Sequence, residues 1–192
     1  MIWGGLVCLI LFVIILTGWE SEWAGILDDH TFQILGENSF LPIFSFLGSE
    51  MILGGGAVLL ICFLAWKRNI IGAIAILIGV GGGNILNKAL KEWVARERPA
   101  FPHGEDGFSF VSGHAMVSII FYLLLAYFLS IYTNKKRIAY SAALLLAFLS
   151  GISRVAEKAH YATDAAAGWL LGAAIYFLLA SILNRRLPKK AA

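Results

Sequence analysis

Lys91 and Arg98-Pro99, then Ser112-Gly113-His114, then Ser153-Arg154 with His160 and Asp164, are the residues of this chain whose types and spacing could do chemistry. They supply three permanent cations, two imidazoles and a carboxylate. Arg offers a fork that matches phosphate oxygens, and Lys offers a point charge. Phosphoryl transfer is mostly positioning and charge stabilisation. The set is therefore sufficient to hold a phosphate and break its ester bond without a metal.

Each cluster has a local logic. Lys91 and Arg98 are two helical turns apart, so a helix running to Pro99 would carry both on one face. Ser112 suits an N-cap, and Gly113 allows close backbone approach. Amides at a helix N-terminus attract anions, and His114 would project there. His160 and Asp164 are four apart, so on a helix the carboxylate can reach one ring nitrogen and leave the other free to attack. Arg154 adds the third cation. An Asp at the start of an apolar helix is costly unless paired, and His160 is its obvious partner. Taken singly, a Lys or Arg near a span end is an ordinary interfacial anchor, a reading that suits Lys88 and Arg96. His103, Glu105 and Asp106 suit a solvated loop, with head-group contact as the alternative.

The elements that must position these groups are apolar. The chain has 192 residues, 59% hydrophobic and 14% charged, with a mean hydropathy of +0.80 and a net charge of +3. A soluble domain would carry roughly 25% charged residues. The composition implies an integral membrane protein with one domain over residues 1–192. Apolar stretches at about 2–18, 46–66, 70–87, 114–133, 138–153 and 164–183 approach the ~20 residues that cross a bilayer core. Backbone groups must be satisfied inside lipid, so these are helices. The expected fold is all-α, a six-transmembrane-helix bundle. The first stretch lacks a basic n-region and a cleavage site, and reads as a retained helix.

Lys67, Arg68, Lys135, Lys136, Arg137, Arg185, Arg186, Lys189 and Lys190, nine of the fifteen basic residues, fall on one side of such a bundle, and no acidic residue joins them. By the positive-inside rule that side is cytoplasmic, which puts both termini inside and all three clusters on the extracytoplasmic face of a plasma membrane. The segment 19–45 is then external. Trp23, Ile26, Leu27, Ile34 and Leu35 recur at helical spacing opposite Glu22, Asp28, Asp29 and Glu37, which suits a short interfacial helix that covers the site or acts as a tether. Gly79/Gly83 and Gly168/Gly172 are small-xxx-small pairs. They and the Gly81-Gly82-Gly83 run suit packing inside the bundle, homodimerisation being the alternative. Cys8 and Cys62 read as small packing residues.

The motifs resemble those of the type 2 phosphatidic acid phosphatase superfamily: Lys, six residues, Arg-Pro; Pro-Ser-Gly-His; Ser-Arg, five residues, His, three residues, Asp. The first and third match in full over a core of about residues 84–172. In the second, Val111 stands where the family usually has Pro, and Ala156-Glu157-Lys158-Ala159 replaces a mostly apolar segment. The resemblance implies a lipid phosphatase with no cofactor and no metal. It implies His160 as the nucleophile that becomes phosphohistidine, Asp164 as its support and His114 as the acid for the leaving oxygen. Lys91, Arg98, Arg154, Ser112 and the Gly113 amide would hold the phosphoryl oxygens. The implied partners are the membrane and a lipid phosphate within it: undecaprenyl pyrophosphate, slightly favoured by an outward site, phosphatidylglycerophosphate or phosphatidic acid. The short basic clusters suggest no nucleic acid. Two other classes compete: a non-catalytic phospholipid-binding or scramblase-like protein on the same scaffold, and a transporter. Binding alone requires no His-Asp pair. No charge sits mid-span and no inverted repeat is visible, which weighs against transport.

Overall fold

The computed structural model describes residues 2–36, 38–101, 104–133 and 135–186; Glu37, His103, Lys189 and Lys190 lie outside them. Every regular element there is a helix. In chain order these are α1 (Ile2–Gly18), α2 (Glu22–Leu35), a 3-10 segment (Leu41–Gly48), α3 (Glu50–Trp66), α4 (Ile70–Ile76), a π-helical turn (Leu77–Gly82), α5 (Gly83–Val94), α6 (Gly113–Thr133), α7 (Lys136–Ala156) and α8 (Ala162–Arg186). Local signals set several boundaries. Ser49 caps α3 by accepting from the Ile52 amide at 3.3 Å, and Asn69 caps α4 through the Gly72 amide at 2.9 Å. Ala95, in the left-handed region at φ 51°, stops α5.

Four segments are long and apolar enough to cross a bilayer alone: Ile70–Val94, α6, α7 and α8. The other two candidate spans are bent pairs, α1 with α2 at 96° and the 3-10 segment with α3 at 42°. The bundle is thus all-α with four to six candidate spans. α6 is its central helix, packed against α7 and α8 and touching α3 and α5, while α1 lies along α8. A cluster around Ile120, Leu124, Phe128, Ile76 and Leu183 fills the interior. Trp3, Ile10, Leu59, Trp66 and Leu77 face outward, as a lipid-facing surface requires.

The small-xxx-small glycines are used inside the chain. A Cβ at Gly83 would lie 2.9 Å from Ile120, and one at Gly172 would lie 2.5 Å from the Met116 carbonyl. Gly79 and Gly168 are equally enclosed. Gly81 and Gly82 correct the packing expectation. They sit in the π-helical turn with open space or ordinary contact around them, and Gly81 lines a cavity. Cys62 is likewise exposed rather than packed, and neither described cysteine is in a disulfide.

The helix α2 carries its apolar residues outward, with Trp23, Ile26 and Ile34 exposed, as an interfacial helix should. One residue breaks the pattern. Asp28, expected on the solvated face, is 2% exposed and turned into the protein.

Candidate active site

A cavity of about 610 Å³ opens where α5 and α7 end and α6 and α8 begin. Lys135, Lys136, Arg137, Arg185 and Arg186 lie at the opposite ends of α6, α7 and α8, and Lys67 and Arg68 precede α4 at the opposite end of the Ile70–Val94 span. Lys91, Arg98, Gly113, His114, Arg154 and His160 all line the cavity. The sequence motifs therefore converge, although not by the local geometry their spacing suggested.

The helix α5 ends at Val94, well before Pro99, so Lys91 and Arg98 share no helical face. Lys91 projects from the last turn of α5, following Asn84, Asn87 and Lys88 along one side of that helix. Arg98 comes from the extended segment beyond it. Its Nε donates to the Gly107 carbonyl at 3.1 Å, and one terminal nitrogen donates to the Ala159 carbonyl at 2.7 Å. These bonds fix the guanidinium against the segment that carries His160.

Nor is His160 on a helix. It sits in the bend that precedes α8, and Asp164 reaches it from the first turn. Asp164 Oδ2 accepts the Tyr161 amide at 3.0 Å and faces His160 Nδ1 at 3.5 Å. That last distance is long for a hydrogen bond, and catalytic contacts commonly tighten when substrate binds. Arg98 lies 3.3 Å from His160 Nε2. A guanidinium can only donate, so Nε2 carries the lone pair and Nδ1 the proton. The basic nitrogen therefore points at Arg98 and the cavity, while the N–H points at Asp164. Burial, opposed by Asp164, holds the imidazole pKa down to about 4. The ring is therefore held neutral near neutral pH.

Arg154, from α7, donates to Ser45 Oγ at 2.9 Å and pairs with Glu157 and Glu105. Its Nε is buried without a hydrogen-bond partner among the described residues. Glu105 corrects the expectation of a merely solvated loop. It lines the cavity and puts a carboxylate on a cation that the phosphate would need. Burial works against the ionised Glu105, but Arg154 outweighs it and holds the pKa below the ordinary value. Ser112 is fully buried behind the cavity. Its Oγ accepts from the Ala115 amide at 3.5 Å, so it serves α6 as an N-cap. Gly113 fits closely against Asn87, whose Oδ1 would lie 3.0 Å from an added Cβ.

Arg96 is the main correction. It is no interfacial anchor but 6% exposed beneath the site. One nitrogen donates to Asp164 Oδ1 at 2.6 Å and to Thr163 Oγ1 at 2.7 Å, and the other to Asp28 Oδ2 at 2.8 Å. Asp28 also accepts from the Thr163 amide at 2.8 Å. The rings of Tyr161 and Trp19 lie 3.9 and 4.9 Å from the guanidinium carbon. Breaking a buried pair of this kind costs roughly 3–5 kcal/mol, so these contacts are what permit two carboxylates to be buried here. No local sequence signal marks the pair: Asp28 stands beside Asp29 and His30, and Arg96 between Glu92 and Arg98, in segments where charge is common.

His114 stands in the first turn of α6, its ring against Gly48 at the end of the 3-10 segment. A Cβ at Gly48 would lie 2.5 Å from His114 Cδ2 and collide with Ser150 Oγ. Gly48→Val should therefore displace the imidazole while leaving the bundle inserted. We expect kcat for phosphate release to fall about 10²-fold, the scale of a 1 Å misplacement. Unchanged turnover would show that the ring position does not matter.

Comparison with known proteins identifies the family. The PAP2 superfamily model matches residues 72–188, more than half of the chain. Phosphatidylglycerophosphatase B of Bacillus subtilis (strain 168) is 35% identical over 152 residues, covering 76% of this chain and 68% of its own length. The crystal structure of a transmembrane PAP2-type phosphatidylglycerolphosphate phosphatase from Bacillus subtilis superposes with a TM-score of 0.88 at 26% identity, covering 98% of this chain and 100% of the other. Likeness therefore extends from the three motifs to the whole bundle, and the chain is a lipid phosphate hydrolase belonging to the PAP2 superfamily.

Proposed function

We propose that this protein hydrolyses the phosphomonoester of phosphatidylglycerophosphate, or of a closely similar long-chain lipid phosphate, on the extracytoplasmic face of the plasma membrane. One observation carries the reaction type: a buried imidazole, His160, lines the cavity with Arg98 3.3 Å from its Nε2 and the Asp164 carboxylate 3.5 Å from its Nδ1. Binding alone would not need an imidazole backed by a carboxylate. The Bacillus subtilis sequence relative and the Bacillus subtilis crystal structure, both named for phosphatidylglycerophosphate, favour this substrate over undecaprenyl pyrophosphate. The opposed basic ends of α3, α6 and α8 support the assignment of face.

The steps follow from the positions. Lys91, Arg98 and Arg154, with the Gly113 amide, hold the phosphoryl oxygens. His160 Nε2 attacks phosphorus and the phosphorus–oxygen ester bond breaks. The departing alkoxide takes a proton from His114. The Nδ1 proton turns to Asp164, whose charge supports the phosphohistidine. Water then attacks phosphorus and gives its proton to His114. The phosphorus–nitrogen bond breaks, and phosphate leaves. Fixed cations supply the charge stabilisation that a metal supplies elsewhere. Leu53, Val80 and Val117 give the same cavity an apolar side suited to the lipid end of the substrate.

Phosphate release by purified protein in detergent tests the reading. Phosphatidylglycerophosphate should give a higher kcat/KM than phosphatidic acid or undecaprenyl pyrophosphate. Turnover should survive excess EDTA, and orthovanadate should inhibit because its five-coordinate form resembles the transferring phosphoryl group. Absence of release from every lipid phosphate would return the chain to the non-catalytic class. Loss on chelation, restored by a divalent ion, would refute metal independence.

A further inference from the structure

We propose that Arg96, held by Asp28, is a positioning residue that sets both the orientation and the effective charge of Asp164 behind the nucleophile. The inference rests on His160 as nucleophile and adds residues that the catalytic motifs do not contain. Its basis is the division of labour on Asp164. Oδ1 is taken by Arg96 at 2.6 Å, whereas Oδ2 faces the Tyr161 amide and His160 Nδ1. The carboxylate can therefore turn only if Arg96 moves. Arg96 is itself fixed by Asp28, Thr163 and the Tyr161 and Trp19 rings. The covering helix α2 thereby reaches the catalytic centre through one side chain.

Charge accounting gives the second half of the argument. A single guanidinium beside Asp164 would neutralise it and weaken its hold on a cationic imidazole. Here the guanidinium is shared with a second carboxylate, so Asp28, Arg96 and Asp164 together carry one net negative charge. That charge is matched when His160 becomes cationic on attacking phosphorus. The other charged or titratable groups around His160 are Arg98 from the extended segment, Lys91 from α5, His114 from α6, Arg154 from α7 and Glu105 from the loop. Apart from Glu105 these are cations or a second imidazole. Glu105 pairs with Arg154 on the cavity side, so the negative charge acting on the ring is that of Asp164, and Asp28 maintains it.

The test uses Asp28→Asn, Arg96→Gln and the double variant, each purified as the full chain in detergent and checked for monodispersity. Both single variants should lower kcat about 10–100-fold, the range for partners that orient a functional ligand, with KM little changed. The protonation midpoint of His160 should move in opposite directions. Asp28→Asn removes a negative charge and should lower it; Arg96→Gln removes a positive charge and should raise it. The midpoint is read from the imidazole ¹⁵N signal that disappears in His160→Ala. A purely structural role would reduce the yield of folded protein without opposite shifts. Should Arg96→Gln not fold with two unpaired carboxylates, the double variant removes one of them and should still lose kcat. Folded Asp28→Asn with wild-type kcat and an unmoved midpoint, or losses confined to KM, would overturn the proposal. Full turnover by His160→Ala would instead overturn the nucleophile assignment beneath it.

Discussion

His160→Ala is expected to abolish phosphate release, by roughly 10⁴-fold or more, while the protein still inserts and purifies as a folded bundle. The imidazole is the buried group whose lone pair faces the cavity, and the described cavity holds no other side chain with a neutral nitrogen so backed by a carboxylate. Alanine removes the nucleophile and leaves the cations, so substrate should still bind. Asp164→Asn should lower the rate strongly but less completely. The amide keeps the shape, but it can present its NH₂ group to Nδ1 and favour the wrong tautomer. The pH dependence follows from the same burial. With a pKa held to about 4, His160 loses activity only as pH falls through that value, not near 6.5 where an exposed histidine titrates. The substrate's second phosphate ionisation, near ~6, should be met first on the acid side. Near-normal turnover by His160→Ala would sink the assignment of nucleophile.

The fold was readable because lipid imposes few solutions. Apolar stretches of near-spanning length had to be helices, and the basic residues between them ordered the ends. What composition could not show was the bend at 96° that folds α2 across α1, or the π-helical turn in the third span. The site was readable as a set of residues but not as local geometry. Spacing four suggested a helical His160–Asp164 pair, yet His160 precedes α8 and the contact is made across the helix start. Spacing seven suggested one helical face for Lys91 and Arg98, yet Ala95 ends the helix between them. In both cases the chain meets the same chemical requirement by a turn instead of a helix face.

Asp28 and Arg96 were missed for a different reason. Amphipathic periodicity assigns a face to every charged residue on a surface helix, and it assumes that the polar face meets water. Asp28 lies on that face but meets Arg96 and Thr163 instead. Arg96 looked like an anchor because cations are common at membrane interfaces. The residues are 68 positions apart, and nothing local links them. Only the requirement that each buried charge find a partner could have raised the question.

His114→Ala should separate substrates by their leaving groups. On a lipid phosphate the leaving oxygen is an alkoxide, a very poor leaving group unless protonated as the bond breaks. General acid catalysis contributes roughly 10²–10⁴-fold in such cases, and the variant should lose about that much in kcat. An activated aryl phosphate departs as a stable phenolate, so in the first step, read as the pre-steady-state burst of phenolate, the same variant should be nearly spared. The water step, in which His114 accepts the proton, should instead slow alike for both substrates. The comparison is open because His114 comes from the first turn of α6, whereas the Arg98–His160 contact is made between the segment after α5 and the bend before α8. Removing its ring leaves that contact in place. If His114 instead acted by binding the phosphoryl group, both substrates would suffer alike. Equal losses on lipid and aryl phosphates in that first step would therefore remove His114 from the general-acid role and place it among the residues that hold phosphate.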